Sequence, residues 1–250
     1  MKILNQAQYK YLEKKYQSFL KQGLLYLLIA LGGIILLFAV PPLGIAVGIM
    51  FWILTQQKFK KADNYMQGIK GEEAVVNALQ ELDDSWWLIN DAKLARRHGN
   101  IDHILLSPKG IFLIETKNYG GSVRCYGDNW IKLGKRRGRR RSRRFKIRSA
   151  SRQVKFQASL LRGLLKRKLK LDVSIIPVCV FAHPEVKLQT NKPSVKVLKL
   201  KDLVGWLQRT RSKYHLTEKE IDLISQCILE KAKSLGFEER TVFEENSSLN

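Results

Sequence analysis

Asn100-Ile-Asp-His-Ile-Leu-Leu-Ser-Pro-Lys-Gly-Ile-Phe-Leu-Ile-Glu-Thr-Lys-Asn118 is the stretch on which the fold turns. Two apolar runs, Ile101–Leu106 and Gly110–Lys117, flank Ser107-Pro108-Lys109-Gly110, a turn sequence. Strands joined by so short a connection pair antiparallel. Side chains alternate between faces along a strand, so Glu115 and Lys117 project from the same side. The hairpin returns the end of its second strand to Asp102, where the first begins. Ile104, Leu105, Leu106, Ile111, Phe112, Leu113 and Ile114 are apolar on both faces, as expected of a central strand pair covered on both sides. Carboxylates and a lysine on such strands cost stability unless they have a task or a ligand.

Two carboxylates close together suit a hard cation such as Mg²⁺ or Mn²⁺, which completes its shell with water and phosphate oxygen. The chemistry this points to is metal-assisted phosphodiester hydrolysis. The cation polarises the phosphate and lowers the pKa of a bound water, while Lys117 orients that water or stabilises developing negative charge. Glu-x-Lys with an aspartate 13 residues earlier also fits an ordinary surface salt bridge.

Around the hairpin the chain reads as mixed α/β. Ala74, Val75, Ala78, Leu79 and Leu82 recur at helical spacing, which predicts a helix over Gly71–Leu82. Strands are expected at Trp86–Asn90, Ser122–Tyr126, Asn129–Leu133 and Val173–Phe181, with a weaker one at Val195–Leu200. Helices are expected over Ala150–Leu169, Lys201–Gln208 and, from the capping pair Thr217 and Glu220, to about Ser234.

Toward the N-terminus, Leu24 to Leu54 is a run of 31 residues without a charged side chain. One spanning helix takes about 20 apolar residues, so the run is long for one span and short for two. Pro41-Pro42 and Gly44 divide it, with a break near Val40. Lys2, Lys10, Lys14, Lys15 and Lys21 precede it and Lys58, Lys60, Lys61 and Lys70 follow. Both flanks look cytoplasmic by the positive-inside rule. A transmembrane hairpin, about 24–40 and 43–55, satisfies that rule; a single kinked span puts one basic flank on the wrong side. The expected division is 1–61 as basic segment and membrane hairpin, 62–185 as a compact α/β domain, and 186–250 as an extension with a helix and a polar tail. The expected location is a cell membrane, with both termini and the α/β domain in the cytoplasm.

Lys135 to Arg148 carries ten positive residues in fourteen. Arg136, Arg137, Arg139, Arg140, Arg141, Arg143 and Arg144 make it a candidate arm on a phosphate backbone, a patch on anionic lipid, or a solvated loop. The whole chain has 45 Lys+Arg against 22 Asp+Glu, a net charge of +23 in 250 residues, which favours polyanionic partners. With 45% hydrophobic and 27% charged residues, a wholly disordered chain is excluded. Cys125, Cys179 and Cys227 are too few and too far apart for a disulfide framework or a Cys-x-x-Cys zinc site. His103, next to Asp102 on a strand, points to the opposite face, where a core role is expected.

Gly68-Ile-Lys-Gly71-Glu72, Ile101-Asp102-His103, Gly110-Ile-Phe112, Ile114-Glu115-Thr-Lys117-Asn118-Tyr119-Gly120-Gly121 and a later helical glutamine, Gln153, together resemble the nuclease-related domain, NERD, of the restriction-endonuclease-like PD-(D/E)xK superfamily. The resemblance implies a restriction-endonuclease-like α/β core, with a mixed central sheet flanked by helices. It implies that Asp102 and Glu115 bind the metal, that Lys117 is catalytic, that Glu72 adds a third carboxylate, and that Gln153 sets the site or contacts substrate. Ile101 stands where the superfamily often has proline, a variable position. The activity so implied is that of a membrane-anchored, divalent-metal-dependent nuclease acting on DNA or RNA. Double-strand cleavage by it calls for two sites working together, as in a homo-oligomer. The rival readings are a catalytically silent tether of nucleic acid to the membrane and a lipid-binding scaffold.

Overall fold

The computed structural model describes residues 1–5, 10–134, 143–211 and 215–235, with the backbone alone at 10, 11, 34–39 and 143. The chain divides into two compact units, Met1–Gln8 with Gly71–Asn250, and Tyr9–Lys70.

In the second unit, helix α1 (Lys10–Ala39) and the first part of helix α2 (Pro41–Leu79) run alongside one another. The residue before a proline is driven out of the helical region, so α1 stops ahead of Pro41. Proline is tolerated at a helix's first positions, and α2 begins there at once. Phe19 stacks on Tyr65 at 5.6 Å, Tyr26 meets Phe51 edge-on at 5.7 Å, and Lys58 donates to Gln22 at 2.6 Å. A Cβ on Gly33 would lie 3.2 Å from Gly44 O and Gly48 N, so the two backbones touch where all three residues are glycine. The second helix does not end near residue 55 and no helix starts at Gly71. Nothing between Thr55 and Lys70 breaks it, so α2 runs on to Leu79. Among the described residues no helix is long and apolar enough to cross a membrane. The charge-free part of α2 ends at Leu54, about 21 Å from Pro41 at 1.5 Å per residue, short of a bilayer core of about 30 Å.

The first unit is a mixed α/β fold with sheets flanked by helices. Its main sheet has the order β1-β2-β3-β4-β8-β10, formed by β1 (Lys2–Ile3), β2 (Trp87–Ala92), β3 (Ile101–Ser107), β4 (Gly110–Lys117), β8 (Ile175–Phe181) and β10 (Lys196–Lys199). Strands β2, β3 and β4 are antiparallel neighbours, and β8 lies parallel to β4. One face packs on the end of α2 and on α4 (Leu203–Arg209) through Val75, Leu79, Leu105, Phe112, Leu203 and Leu207. The other packs on α3 (Ala150–Leu169) and α5 (Glu218–Lys233) through Ile104, Leu113, Val154, Leu161, Ile224 and Ile228. Each such side chain contributes about 1.5–3 kcal/mol when fully buried. A second sheet, β7-β6-β5-β9, is built from β5 (Gly121–Tyr126), β6 (Asn129–Gly134), β7 (Arg143–Ile147) and β9 (Val186–Asn191). Helix α5 carries the expected capping box: Glu220 N donates to Thr217 Oγ1 and Thr217 N to Glu220 Oε2.

Strand β1 is an element the sequence did not announce. It pairs parallel with β2, and just beyond it the fully buried Asn5 takes over the role of a strand partner. Asn5 Nδ2 donates to Asn90 O at 2.8 Å, and Asn90 N donates to Asn5 Oδ1 at 2.8 Å. Truncation leaves both backbone groups of Asn90 unpaired in the interior, so Asn5→Ala is expected to cost about 2–4 kcal/mol, checked by urea unfolding. A fragment beginning at Ala62 loses the same strand, and the same direction of change is expected in it.

Candidate active site

The β3–β4 hairpin closes at Ser107↔Gly110, with Gly110 at φ 116°, a conformation that side chains other than glycine's rarely adopt. Its register, ending at His103↔Ile114, places Asp102 across from Glu115. Thr116 N donates to Asp102 Oδ2 at 2.7 Å, which fixes that carboxylate against the neighbouring strand. Glu115 is fully buried, its Oε1 paired with the Lys117 ammonium and its Oε2 without a hydrogen-bond partner. Asp102, Glu115 and Lys117 are thus gathered at one end of the sheet, on the face that carries α3.

Two more acids join them. Glu72, on α2, reaches the cluster from the helix covering the opposite face, while Glu73 is exposed. A Cβ on Gly71 would lie 2.7 Å from Asn118 Cβ, so only glycine lets α2 approach the end of β4 this closely. Asp91 sits on β2 between the pairs Asn90↔His103 and Ala92↔Ile101, which puts it across from Asp102. Asn100 Nδ2 donates to Asp91 Oδ1 at 2.7 Å, and Asn100 O in turn accepts from Gln157 Nε2 at 3.0 Å.

The electrostatics are those of crowded acids around one cation. Burial, then the charges of Asp102, Asp91 and Glu115, push the Glu72 carboxyl up to about 10, with Lys117 opposing. Burial and Glu115 hold Asp102 well above the ordinary carboxylate range. Asp91 is raised to about 6 by burial, tempered by the Asn100 hydrogen bond and Lys93. Burial works against the Lys117 ammonium, but Glu115 and Asp102 outweigh it and hold this lysine above its usual value. Glu72, Asp102 and Glu115 share one ammonium, with Asp91 adding negative charge beside them, so the cluster favours protons or further positive charge. Among the described residues no three His, Cys, Asp or Glu side chains stand arranged as a ready metal cage.

Other sequence candidates fall as follows. Gln153 is half-buried in the first turn of α3, and it is Gln157, one turn on, that reaches the site through Asn100. His103 lies on the opposite face, its Nδ1 bonded to Asn90 Oδ1 at 2.8 Å, and burial lowers its pKa to about 3. Arg136, Arg137, Arg139, Arg140 and Arg141 lie outside the described residues, as does the Arg143 side chain. Arg144 is exposed on β7. Cys125, Cys179 and Cys227 are buried and unpaired. Trp86, Trp87 and Trp130 are core residues. Asp91, Asn100 and Gln157 were not among the sequence candidates. The one local trace of Asp91 is an Asn-Asp pair closing a hydrophobic strand.

An Asp–Glu–Lys constellation built around a buried glutamate on a central hairpin is the arrangement that the sequence blocks resembled. Residues 67–182 match the nuclease-related domain, NERD. No curated protein and no solved structure matches the chain. The NERD span takes in every member of the cluster, from Glu72 on α2 to Gln157 on α3. Strand β1, which pairs with β2, and helix α5, which packs on the α3 face of the same sheet, lie outside that span.

Proposed function

We propose that this protein is a divalent-metal-dependent nuclease, held at a membrane by the charge-free stretch Leu24–Leu54 of its first two helices and hydrolysing phosphodiester bonds of DNA or RNA on the cytoplasmic side. The observation that carries the reading is the fully buried Glu115, with one oxygen on Lys117 and the other unpartnered, beside Asp102 and Glu72. An oxygen-only donor set with excess negative charge fits Mg²⁺ or Mn²⁺. Asp102, Glu115 and Glu72 would hold it, and the bound cation supplies Lewis acidity toward phosphate and an acidified water. Asp102, clamped by Thr116 N, gives the site a fixed oxygen. Lys117 presents an ammonium at the same place, able to orient water and to offset charge that develops on phosphate. Incubation of the protein with labelled DNA and RNA in Mg²⁺, in Mn²⁺ and in chelator tests it: metal-dependent cleavage is expected. The basic face of the second sheet also suits a second reading, a silent nucleic-acid tether, which binds without divalent ions and cuts under no condition.

Nucleic-acid contact draws support from the second sheet. Its register puts Arg124, Lys146, Arg144 and Lys187 on one face, opposite the face whose Cys125, Trp130 and Val123 enter the core. If this face grips phosphates, each alanine substitution lowers the slope of log affinity against log salt by about one. Equal slopes for wild type and the fourfold variant would remove the face from the interface.

The membrane reading rests on the helices of the second unit. Leu24, Leu25, Leu28, Leu31, Leu43, Ile45, Ile49 and Trp52 are all exposed, Leu28 at 66% and Ile49 at 56%. Exposed apolar area on this scale marks an interaction surface. The protein is expected to float with lipid vesicles at high salt, and Leu28→Lys with Ile49→Lys is expected to release it.

A further inference from the structure

Asp91 has three features that the reading above leaves without a purpose. Its backbone is left-handed, at φ 52°, inside a strand whose pairs on either side keep their register. Side chains other than glycine's adopt this conformation uncommonly, aspartate and asparagine more readily than the rest, and here it interrupts the ladder at one position. The carboxylate is also aimed deliberately: Asn100 Nδ2 holds Oδ1 at 2.7 Å, and Gln157, 4% exposed, anchors the Asn100 carbonyl at 3.0 Å. Among the described residues nothing hydrogen-bonds Asp91 Oδ2. Lastly, the register carries Asp91, Asp102 and Glu115 in one row across β2, β3 and β4, and the row ends at the buried, unpartnered Glu115 Oε2. An acid held by one oxygen, in register with a buried, unsatisfied carboxylate oxygen two strands away, has the form of a ligand side chain with its orienting partner.

We propose that Asp91 is a fourth carboxylate ligand of the cation site, oriented by Asn100, so that the site is built from three adjacent strands and α2. This rests on the nuclease reading and adds a residue to it. Asp91→Asn separates ligand from scaffold, because the amide oxygen still accepts from Asn100 while the charge is lost. The test is calorimetric titration of Mn²⁺ into the full chain in detergent, with the Mn²⁺ electron paramagnetic resonance signal as a second readout. Wild type, Asp91→Asn, Asn100→Ala and Asp102→Asn are compared. Asp91→Asn is expected to weaken Mn²⁺ binding about 10–100-fold, and Asn100→Ala to weaken it less, with metal-free unfolding unimpaired in Asp91→Asn. Wild-type affinity in Asp91→Asn, with binding lost in Asp102→Asn, overturns the proposal and leaves the nuclease reading standing. Should Asp91→Asn fail to fold, an unchanged Mn²⁺ affinity in Asn100→Ala overturns it instead. A wild-type protein that binds no Mn²⁺ brings down the metal reading and this proposal together.

Discussion

Asp102→Asn and Glu115→Gln are each expected to lower the rate of the proposed Mg²⁺-dependent cleavage by at least about a thousandfold, read as single-turnover rates on labelled substrate. A Lewis acid at the phosphate is worth several kcal/mol, and each 1.36 kcal/mol is tenfold in rate. Asp102 lies directly across from Glu115, held there by Thr116 N, so loss of either removes one of the strand-borne donors nearest Lys117. Lys117→Met is expected to cost a similar factor, and something more: it strands Glu115 in the interior without its cation. Breaking a buried pair on one side costs about 3–5 kcal/mol, whereas replacing both partners is close to neutral. The double variant Glu115→Gln, Lys117→Met should therefore regain stability and stay inactive. An Asp102→Asn protein that cuts at the wild-type rate would place the chemistry elsewhere in the chain.

Glu72→Gln should make the metal-free protein more stable at neutral pH and flatten its pH dependence. In the folded protein the Glu72 carboxyl is raised from 4.5 to about 10, first by burial and then by its acidic neighbours. Between those values the native state keeps a proton that the unfolded chain has lost. The native state then binds more protons than the unfolded, so stability falls as pH rises through the window. At 1.36 kcal/mol per unit, the cost reached by pH 7 is about 3 kcal/mol. Glutamine never ionises, so the variant gains about that much in chelator. Asp102 titrates in the same sense, so its share of the slope remains. Urea midpoints from pH 5 to 9 in chelator provide the measurement. A variant whose slope equals the wild type's would mean that Glu72 is not held protonated. With Mg²⁺ or Mn²⁺ the order is expected to reverse, since wild type then gains a ligand bond that the variant lacks.

The local signals in the chain went a long way. Two apolar runs and the Pro-Lys-Gly turn between them were enough to define the β3–β4 hairpin and hence the meeting of Asp102 with Glu115 and Lys117. The 3.6-residue period and Thr217/Glu220 defined α3 and α5. All these depend on residues within a few positions of one another. The second sheet was half legible: β5 alternates and β6 is a short β-type run, but β7 hides within a basic run and β9 within a polar one. Their strand character comes from neighbours, with β7 on β6 and β9 parallel to β5.

What the sequence alone determined is therefore the type and order of most elements and the charged centre of the site, because periodicity, turn chemistry and capping act within a few residues. Only the tertiary structure decided that α2 continues unbroken to Glu72, that residues 2 and 3 form an edge strand on β2, and that Asp91 and Gln157 join the site. Asp91 reaches Asp102 through the register of β2 on β3, and Gln157 reaches it through the packing of α3 on the sheet. Those placements follow from pairing and burial between distant segments, where the energy lies in contacts that no single stretch of the chain contains.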